Sequence, residues 1–251
     1  MYELFIVVPC YNEAVLLRES AAVLLAKLRA LRDSGSIGAD SRLLLVDDGS
    51  SDATWDICRE LFARESPDLI CLRHARNRGH QDAVMTGMMF AEGRGAAALS
   101  IDADLQDDPD AIDAMVQAWR SGARIVCGVR ASRASDSFFK RTTARGFYML
   151  AKLGGAQVIF DHADFRLMDA EAIRELRRFG TSDLFLRGLV TRLGLPIETV
   201  RYDRRARTAG ESKYSMRKML HLARRGFESG RMQMAAEPQT DGEERCAEVL
   251  A

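Results

Sequence analysis

The chain has 251 residues, which is long enough to bury a sizeable core in one large or two small domains. Hydrophobic residues form 47% of the sequence and charged residues 29%, an ordinary composition for a soluble globular protein. The 36 basic and 36 acidic residues cancel, so no overall field attracts nucleic acid or a membrane, and only a local excess of charge could do so. We therefore expect no nucleic-acid partner.

The cysteines and the N-terminal segment indicate a cytoplasmic protein. The five cysteines are odd in number and widely spaced, with no CxxC motif, so we interpret them as reduced thiols that lie mostly in the core. The N-terminal segment carries Glu3 and lacks the basic region of a signal peptide. No run of about eighteen apolar residues is present, so no segment is predicted to span a membrane unaided.

Short apolar runs alternate with segments of helical periodicity through the first half of the chain. The predicted strands cover 4–8, 43–46, 69–73, 96–101 and 125–128. The predicted helices cover 13–32, 53–64, 81–92 and 109–121. This alternation, without hairpin signals, predicts an α/β fold with a mostly parallel sheet sandwiched by helices. Ligands bind such a sheet beyond the carboxyl ends of its strands, so segments 9–13, 47–52 and 102–104 should converge on one crevice.

The second half is less regular. The predicted helices cover 147–153, 170–179, 183–193 and 215–229, and a strand is predicted at 197–202. A basic, glycine-containing loop lies at 204–213. Residues 235–251 are polar and acidic, and we expect a disordered tail there.

Residues 99–110, LSIDADLQDDPD, carry the first chemical signal. An apolar strand ends there in carboxylates, and Asp102 and Asp104 share a face if the strand geometry continues. Two such carboxylates suit Mg²⁺ or Mn²⁺ and leave coordination positions open for a diphosphate. The alternative is a solvated acidic turn before a helix that begins near Pro109.

The common phosphate cradles are absent from the sequence. No GxGxxG motif follows the first strand and no Walker A motif is present, so a dinucleotide oxidoreductase or a P-loop NTPase is not indicated. A phosphate must then be bound through a cation or through basic side chains. The basic candidates are Arg130, Lys140, Arg141, Arg205, Arg207 and Lys213.

Five motifs stand in an order that resembles the family 2 glycosyltransferases of GT-A fold. They are VPCYNE (8–13), VDDGSSD (46–52), DADLQ (102–106), DFRLMD (164–169) and GESKYS (210–215). The later motifs are similar to those of polyprenyl-phosphate sugar transferases, such as dolichyl-phosphate mannose synthases and bactoprenol glucosyltransferases. The resemblance covers about residues 4 to 230. It implies one catalytic domain at 1–230, with a nucleotide-sugar half at 1–130 and an acceptor half at 131–230, followed by a polar tail at 231–251.

The resemblance also implies roles for matching residues. The nucleoside of a UDP or GDP sugar would be held by Pro9, Tyr11, Asn12, Glu13, Asp47 and Asp48. Asp102 and Asp104 would bind the metal, Gln106 would lie next to the donor sugar, and Arg130 matches a G-x-R sequence after a strand.

The acceptor side is implied in the same way. Asp164 matches an acid near the acceptor, and Asp104, Asp164 and Arg130 form the expected catalytic set. Lys140 and Arg141 are candidates for neutralising an acceptor phosphate. A loop expected to close over phosphates contains Arg205, Arg207, Ser212 and Lys213.

Structural roles compete with several of these assignments. Asp47 and Asp52 could shape a turn and cap the following helix, and we favour the cap for Asp52. Glu13 could interact with a helix dipole. We interpret His80, a single histidine outside the motifs, as a surface or capping residue.

The implied reaction is inverting transfer of a sugar from a nucleoside diphosphate to a polyprenyl phosphate such as undecaprenyl or dolichyl phosphate. Many bacterial members of the family continue into two transmembrane helices, whereas residues after 230 are polar and acidic here. A basic helix at 215–229 with one apolar stripe predicts either peripheral association with the inner face of the membrane or with a membrane partner subunit, or packing of the same stripe against the domain. The alternatives are a soluble or polysaccharide acceptor and a non-catalytic nucleotide-sugar binding subunit.

Overall fold

The computed structural model describes residues 2–131, 162–178, 186–204 and 246–251. The predicted helices at 147–153 and 215–229 lie outside these residues, as does nearly all of the basic loop at 204–213.

Eight strands in the described residues form one sheet. They are β1 (Leu4–Cys10), β2 (Arg42–Asp47), β3 (Leu69–Arg73), β4 (Ala97–Ser100), β5 (Ile125–Arg130), β6 (His162–Met168), β7 (Ile197–Tyr202) and β8 (Glu248–Leu250). Their spatial order is β7-β5-β6-β4-β1-β2-β3-β8. Four neighbouring pairs are parallel, whereas β6 is antiparallel to β4 and β5, and β8 is antiparallel to β3. The predicted mostly parallel sheet is confirmed, and strands from both halves of the chain share it.

Helices cover both faces of the sheet. They are α1 (Leu17–Asp33), α2 (Thr54–Glu65), α3 (His80–Glu92), α4 (Ala111–Arg120), α5 (Ala170–Arg177) and the short α6 (Leu186–Leu189), which a 3₁₀ turn (Val190–Arg192) continues. Successive strand side chains point to opposite faces, so Ile6 of β1 packs with α1, α2 and α4 while Val7 packs with α3 and α5. Helix α3 lies so close that a Cβ on Gly87 would be 2.3 Å from Val7 Cγ1.

The predicted boundaries hold best where an apolar run is short and isolated. The strands at 69–73 and 197–202 agree with β3 and β7 to the residue. The helix predicted at 13–32 begins instead at Leu17, because the amides of Leu16 and Leu17 both donate to the carbonyl of Glu13 in a turn at 3.0 Å.

Two strands were not predicted. Strand β6 contains Asp164 and Arg166, which interrupt the apolar pattern of a buried strand. The expectation of a disordered tail at 235–251 is wrong for its last residues, since β8 pairs with the edge of β3 and Leu250 packs against the core. Apolar packing and backbone hydrogen bonds there outweigh the polar composition of the segment.

Candidate active site

The loops after β1 and β2 meet at the carboxyl end of the sheet, as predicted for 9–13 and 47–52. The amide of Asn12 donates to Ser50 Oγ at 3.0 Å, and Asn12 Oδ1 accepts from the amide of Ser51 at 2.9 Å. The amide of Glu13 donates to Thr54 Oγ1 at 2.9 Å. These contacts hold Asn12 in the left-handed region at φ 54°, which asparagine tolerates better than most residues.

The predicted nucleoside residues differ in how far they reach the surface. Pro9 is buried inside β1 opposite Val46, whereas Tyr11, just after β1, is 38% exposed. Asp52 accepts hydrogen bonds from Thr54 Oγ1 at 2.5 Å and from the Thr54 amide at 3.0 Å. Asp52 thus accepts from the amide of the first residue of α2, although the N-cap position itself is Ala53.

Asp48 faces the interior of the protein. Its Oδ1 accepts from the amide of Arg78 and lies 2.8 Å from His74 Nδ1, and its Oδ2 accepts from the amide of Gly79, all at 2.8 Å. His74 is buried, and its Nε2 lies 2.9 Å from Thr86 Oγ1 on α3. With both oxygens engaged, Asp48 organises the loop at 74–79 next to the loop after β2.

This close packing of loops depends on one glycine. Gly49 has a φ of +67°, and a Cβ there would lie 2.5 Å from the carbonyl carbon of Arg76. The side chain of Asp47 is also fully buried, with Oδ1 accepting from the Ser50 amide at 3.1 Å. Asp47 and Asp48 of the VDDGSSD motif are therefore buried, and their hydrogen bonds hold the loops at 47–52 and 74–79 in place.

The DADLQ segment leaves the sheet in a turn. Strand β4 ends at Ser100, and the amide of Leu105 donates to the carbonyl of Asp102 at 3.2 Å, so the strand geometry that we assumed does not continue to Asp104. Leu105 has a φ of 46°, a strained value for a leucine. This turn brings the amide of Gln106 to 3.2 Å from Asp104 Oδ1.

Asp102 lies among other charged groups at the carboxyl end of β4, where its side chain is only partly exposed. Its burial raises the pKa of Asp102 to about 6; His80 counteracts this rise, and three nearby carboxylates, led by Asp164, add to it. Such crowding of acids is costly in the absence of a cation.

Strand β6 brings Asp164 to the same place because it runs antiparallel to β4. Ser100 Oγ donates to the Asp164 carbonyl at 2.5 Å. The Asp164 carboxylate accepts from Arg166 Nη2 at 2.7 Å, and Arg166 is completely buried. His80 Nε2 lies 3.7 Å from both Asp102 Oδ1 and Asp164 Oδ2. His80 is thus a surface residue at the start of α3, as predicted, with its side chain 39% exposed, but its closeness to the two acids was not predicted.

Asp107 is the centre of a second group of contacts, which connects the DADLQ segment to β5 and β7. Asp107 is buried, and its Oδ1 accepts from Tyr202 Oη at 2.5 Å and from Arg130 Nη2 at 3.3 Å. The side chain of Gln106 accepts from Arg204. Sequence reasoning missed Asp107 and Tyr202, since their link joins residues that are 95 positions apart.

A divalent metal fits the chemistry of the DADLQ carboxylates. No set of three His, Cys, Asp or Glu side chains in the described residues converges to hold a metal by itself. Asp102 and Asp104 supply hard oxygen ligands, and Mg²⁺ commonly takes one or two carboxylates together with substrate phosphates and water. The two residues therefore suit an ion that arrives with a diphosphate.

Six predicted site residues lie outside the described residues, namely Lys140, Arg141, Arg205, Arg207, Ser212 and Lys213. Across the part of the chain that the structure describes, no helix has the length and apolar character needed to cross a membrane.

The sequence is similar to those of known glycosyltransferases. The family described as "Glycosyl transferase family 2" matches residues 5–177. The uncharacterized glycosyltransferase YkoT of Bacillus subtilis is 44% identical over 90% of this chain and 67% of its own length. The bactoprenol glucosyl transferase of Shigella phage SfV is 32% identical over 89% of this chain and 70% of its own length. The chain thus spans about two thirds of the length of these curated relatives.

The fold is also similar to that of solved structures. Glucosyl-3-phosphoglycerate synthase from Mycobacterium tuberculosis, in complex with Mn²⁺, UDP and phosphoglyceric acid, superposes with a TM-score of 0.61 at 17% identity. The match covers 91% of this chain and 77% of that protein.

Proposed function

The chain belongs to glycosyl transferase family 2 and has the GT-A fold, and from this premise we propose that it transfers a sugar from a nucleoside diphosphate to a polyprenyl phosphate. The observation that carries the proposal is the meeting of Asp102 and Asp164 around His80, at the edge where the loops after β1 and β2 converge. The 32% identity to a bactoprenol glucosyl transferase supports a lipid phosphate as the acceptor.

The donor is proposed to lie across the loops after β1, β2 and β4. Asn12 and Tyr11 are proposed to contact the nucleoside, and Asp102 and Asp104 are proposed to hold the diphosphate through the metal. A divalent ion held there would offset the charge that develops on the leaving diphosphate. Arg130, held by Asp107, is proposed to contact the donor from the far side of the crevice.

The acceptor is proposed to approach from the side of β6. A phosphate oxygen attacks the anomeric carbon, the bond from that carbon to the β-phosphate oxygen breaks, and the nucleoside diphosphate leaves with inversion. The attacking oxygen is already anionic at neutral pH, so the reaction does not need a general base. Asp164, with one oxygen bound to buried Arg166, is proposed to orient the acceptor or the sugar.

Basic residues outside the described part of the chain complete the proposal. Lys140 and Arg141 are proposed to neutralise the acceptor phosphate, and the loop with Arg205, Arg207, Ser212 and Lys213 to close over phosphates. Association with the membrane surface or a membrane partner through residues 215–229 is part of the same proposal, because a polyprenyl acceptor resides in the bilayer.

The test is a panel of UDP and GDP sugars with Mg²⁺ or Mn²⁺ and a short-chain polyprenyl phosphate, in which products are identified by mass. A glycosyl polyprenyl phosphate supports the proposal. Transfer only to soluble acceptors contradicts the lipid acceptor, and the absence of both transfer and donor hydrolysis contradicts catalysis. Asp104→Asn is the inactive reference, and Asp110→Asn is its matched control, since Asp110 is an exposed acid of the same segment that pairs with Lys27.

A further inference from the structure

The edge of β3 is covered by a strand from the far end of the sequence. Arg73 and Leu72 of β3 stand opposite Glu248 and Val249 of β8, and the amide of Ala247 donates to the Arg73 carbonyl at 2.7 Å. Leu250 packs against the core on one face of the sheet. Backbone pairing and side-chain packing thus hold residues 246–251 on the same sheet that carries the site.

Glu248 binds a buried tryptophan. Its Oε2 accepts from Trp55 Nε1 at 3.1 Å, and its two oxygens accept from Arg59 Nη2 at 2.9 and 3.1 Å. Trp55 is only 2% exposed, and a buried indole N–H needs a hydrogen-bond partner. Among the described residues, the recorded partner of this N–H is Glu248.

Trp55 connects β8 to Asp47, the buried acid at the start of the loop after β2. The Arg73 guanidinium lies 5.4 Å from the Trp55 ring centroid, and Arg73 Nε lies 3.2 Å from Asp47 Oδ2. The Asp47 side chain has no exposed surface, and a buried carboxylate is costly unless it is paired. The position of Arg73 therefore decides whether Asp47 keeps its compensating charge.

Asp47 in turn shapes both loops that are proposed to contact the nucleoside. Its Oδ1 accepts from the Ser50 amide at 3.1 Å, and Ser50 Oγ accepts from the Asn12 amide at 3.0 Å. A continuous series of contacts thus runs from Glu248 through Trp55, Arg73 and Asp47 to these loops.

We propose that β8 is a strap that positions the nucleoside-contacting loops through Trp55 and Arg73. Glu248 and Trp55 are positioning residues, because neither is proposed to touch the nucleotide and both act on the loops through Arg73 and Asp47. The assignment of the loops to the nucleoside rests on the proposed function, whereas the mechanical link between β8 and the loops does not.

The first experiment measures hydrogen exchange of residues 47–52 in the full chain without ligand. Glu248→Ala should raise the exchange rate of the Ser50 amide by roughly three- to tenfold, the effect of losing one hydrogen bond. Val249→Thr is the matched control, since Val249 lies on the same strand, is 37% exposed and points to the opposite face. It should leave the Ser50 rate unchanged.

A second readout follows the tryptophan itself. The chain has two tryptophans, so Trp119→Phe leaves Trp55 as the only source of indole emission. In that background Glu248→Ala should shift the Trp55 emission to longer wavelength as water reaches the indole. If the emission shifts while Ser50 exchange stays at the wild-type rate, or if Ser50 exchange rises without any shift, the proposed route is overturned. No change in either quantity also overturns it.

The third measurement connects the strap to the donor. Binding of UDP and GDP with Mg²⁺ should weaken by roughly three- to tenfold in Glu248→Ala, with turnover at saturating donor unchanged. Trp55→Phe should give the same loss, and the double variant no further loss, because both substitutions interrupt one route. If the wild-type protein binds neither nucleotide, the proposed function fails, and the exchange and emission data still decide whether the strap exists.

Discussion

Arg166 Nη2 donates to Asp164 Oδ1 over 2.7 Å, and the Arg166 side chain is completely buried. The two residues are two positions apart on β6, so their side chains share one face of the strand. One Asp164 oxygen is thereby fixed, while the other faces His80 at 3.7 Å. This arrangement favours a carboxylate that holds a substrate in place over one that accepts its proton.

Asp164→Asn should therefore keep measurable activity, with a kcat that does not depend on the ionisation of a single carboxylate. The same change should destabilise the fold by roughly 1–3 kcal/mol, because buried Arg166 loses a charged hydrogen-bond partner. Urea unfolding measures the loss of stability. Initial rates measured between about pH 5.5 and 8.5, where most proteins stay folded, measure the effect on turnover. Complete loss of turnover with unchanged donor binding would instead identify an obligatory base.

His80→Ala should lower kcat by roughly tenfold, the effect of losing one polar contact at a reacting centre. The midpoint of thermal unfolding should remain unchanged, since the imidazole is partly exposed and lies 3.7 Å from each acid. His80→Gln keeps a side-chain N–H donor and should recover part of the rate. Equal and undiminished rates for both variants would show that His80 has no role in turnover.

Asp107→Asn should lower both stability and rate, because Asp107 holds Tyr202 at 2.5 Å and Arg130 at 3.3 Å. Tyr202→Phe removes only one of these contacts and should cost about 1 kcal/mol of stability with little change in kcat. Chemical unfolding together with steady-state kinetics separates the two variants. If Tyr202→Phe lowers the rate as much as Asp107→Asn does, the effect does not act through Arg130.

Local pattern was sufficient to predict most of the fold. Uniform apolar runs such as 69–73 predicted β3, and the order of strand ends predicted that Asn12, Ser50 and Asp102 would share one edge. Strand β6 was missed because its functional residues, Asp164 and Arg166, break the apolar pattern. Alternating hydrophobicity cannot predict a strand whose buried face carries an ion pair.

Long-range pairing explains what was missed in the site. Glu248 meets Trp55 across 193 positions, and His80 meets Asp164 only because β6 runs antiparallel to β4. Neither contact leaves a periodic signal in the sequence. His80 does follow the carboxyl end of β3, and in a parallel sheet that position alone was a reason to place it near the site.

Asp104→Asn should reduce turnover by at least about 10²-fold, comparable to removal of one preorganised electrostatic group. Excess EDTA should have the same effect on the wild-type protein, and added Mg²⁺ or Mn²⁺ should restore activity to it but not to the variant. Asp110→Asn, with its exposed side chain, should behave as wild type. Unchanged turnover in excess EDTA would exclude a metal-dependent mechanism.

Asp102 gives the stability of the metal-free protein a defined pH dependence. Its burial, together with neighbouring carboxylates, raises the pKa of Asp102 from its ordinary value of 3.8 to about 6 in the fold. Between these two values the folded protein binds more protons than the unfolded chain, so this group's contribution makes stability fall as pH rises. Above pH 6 the ionised carboxylate remains a net cost to the fold, reduced by solvent since the side chain is 44% exposed.

Asp102→Asn should therefore raise the unfolding temperature of the metal-free protein at pH 7.5, roughly 1.5 units above this pKa, and change it little near pH 4, where the folded wild-type side chain is protonated and neutral like asparagine. Thermal unfolding in EDTA across this range measures the difference. Added Mg²⁺ should reverse the order at pH 7.5, because the ion stabilises only a fold that offers it the carboxylate. If the variant is less stable than the wild-type protein in EDTA at pH 7.5, Asp102 stabilises the fold and is not a strained ligand.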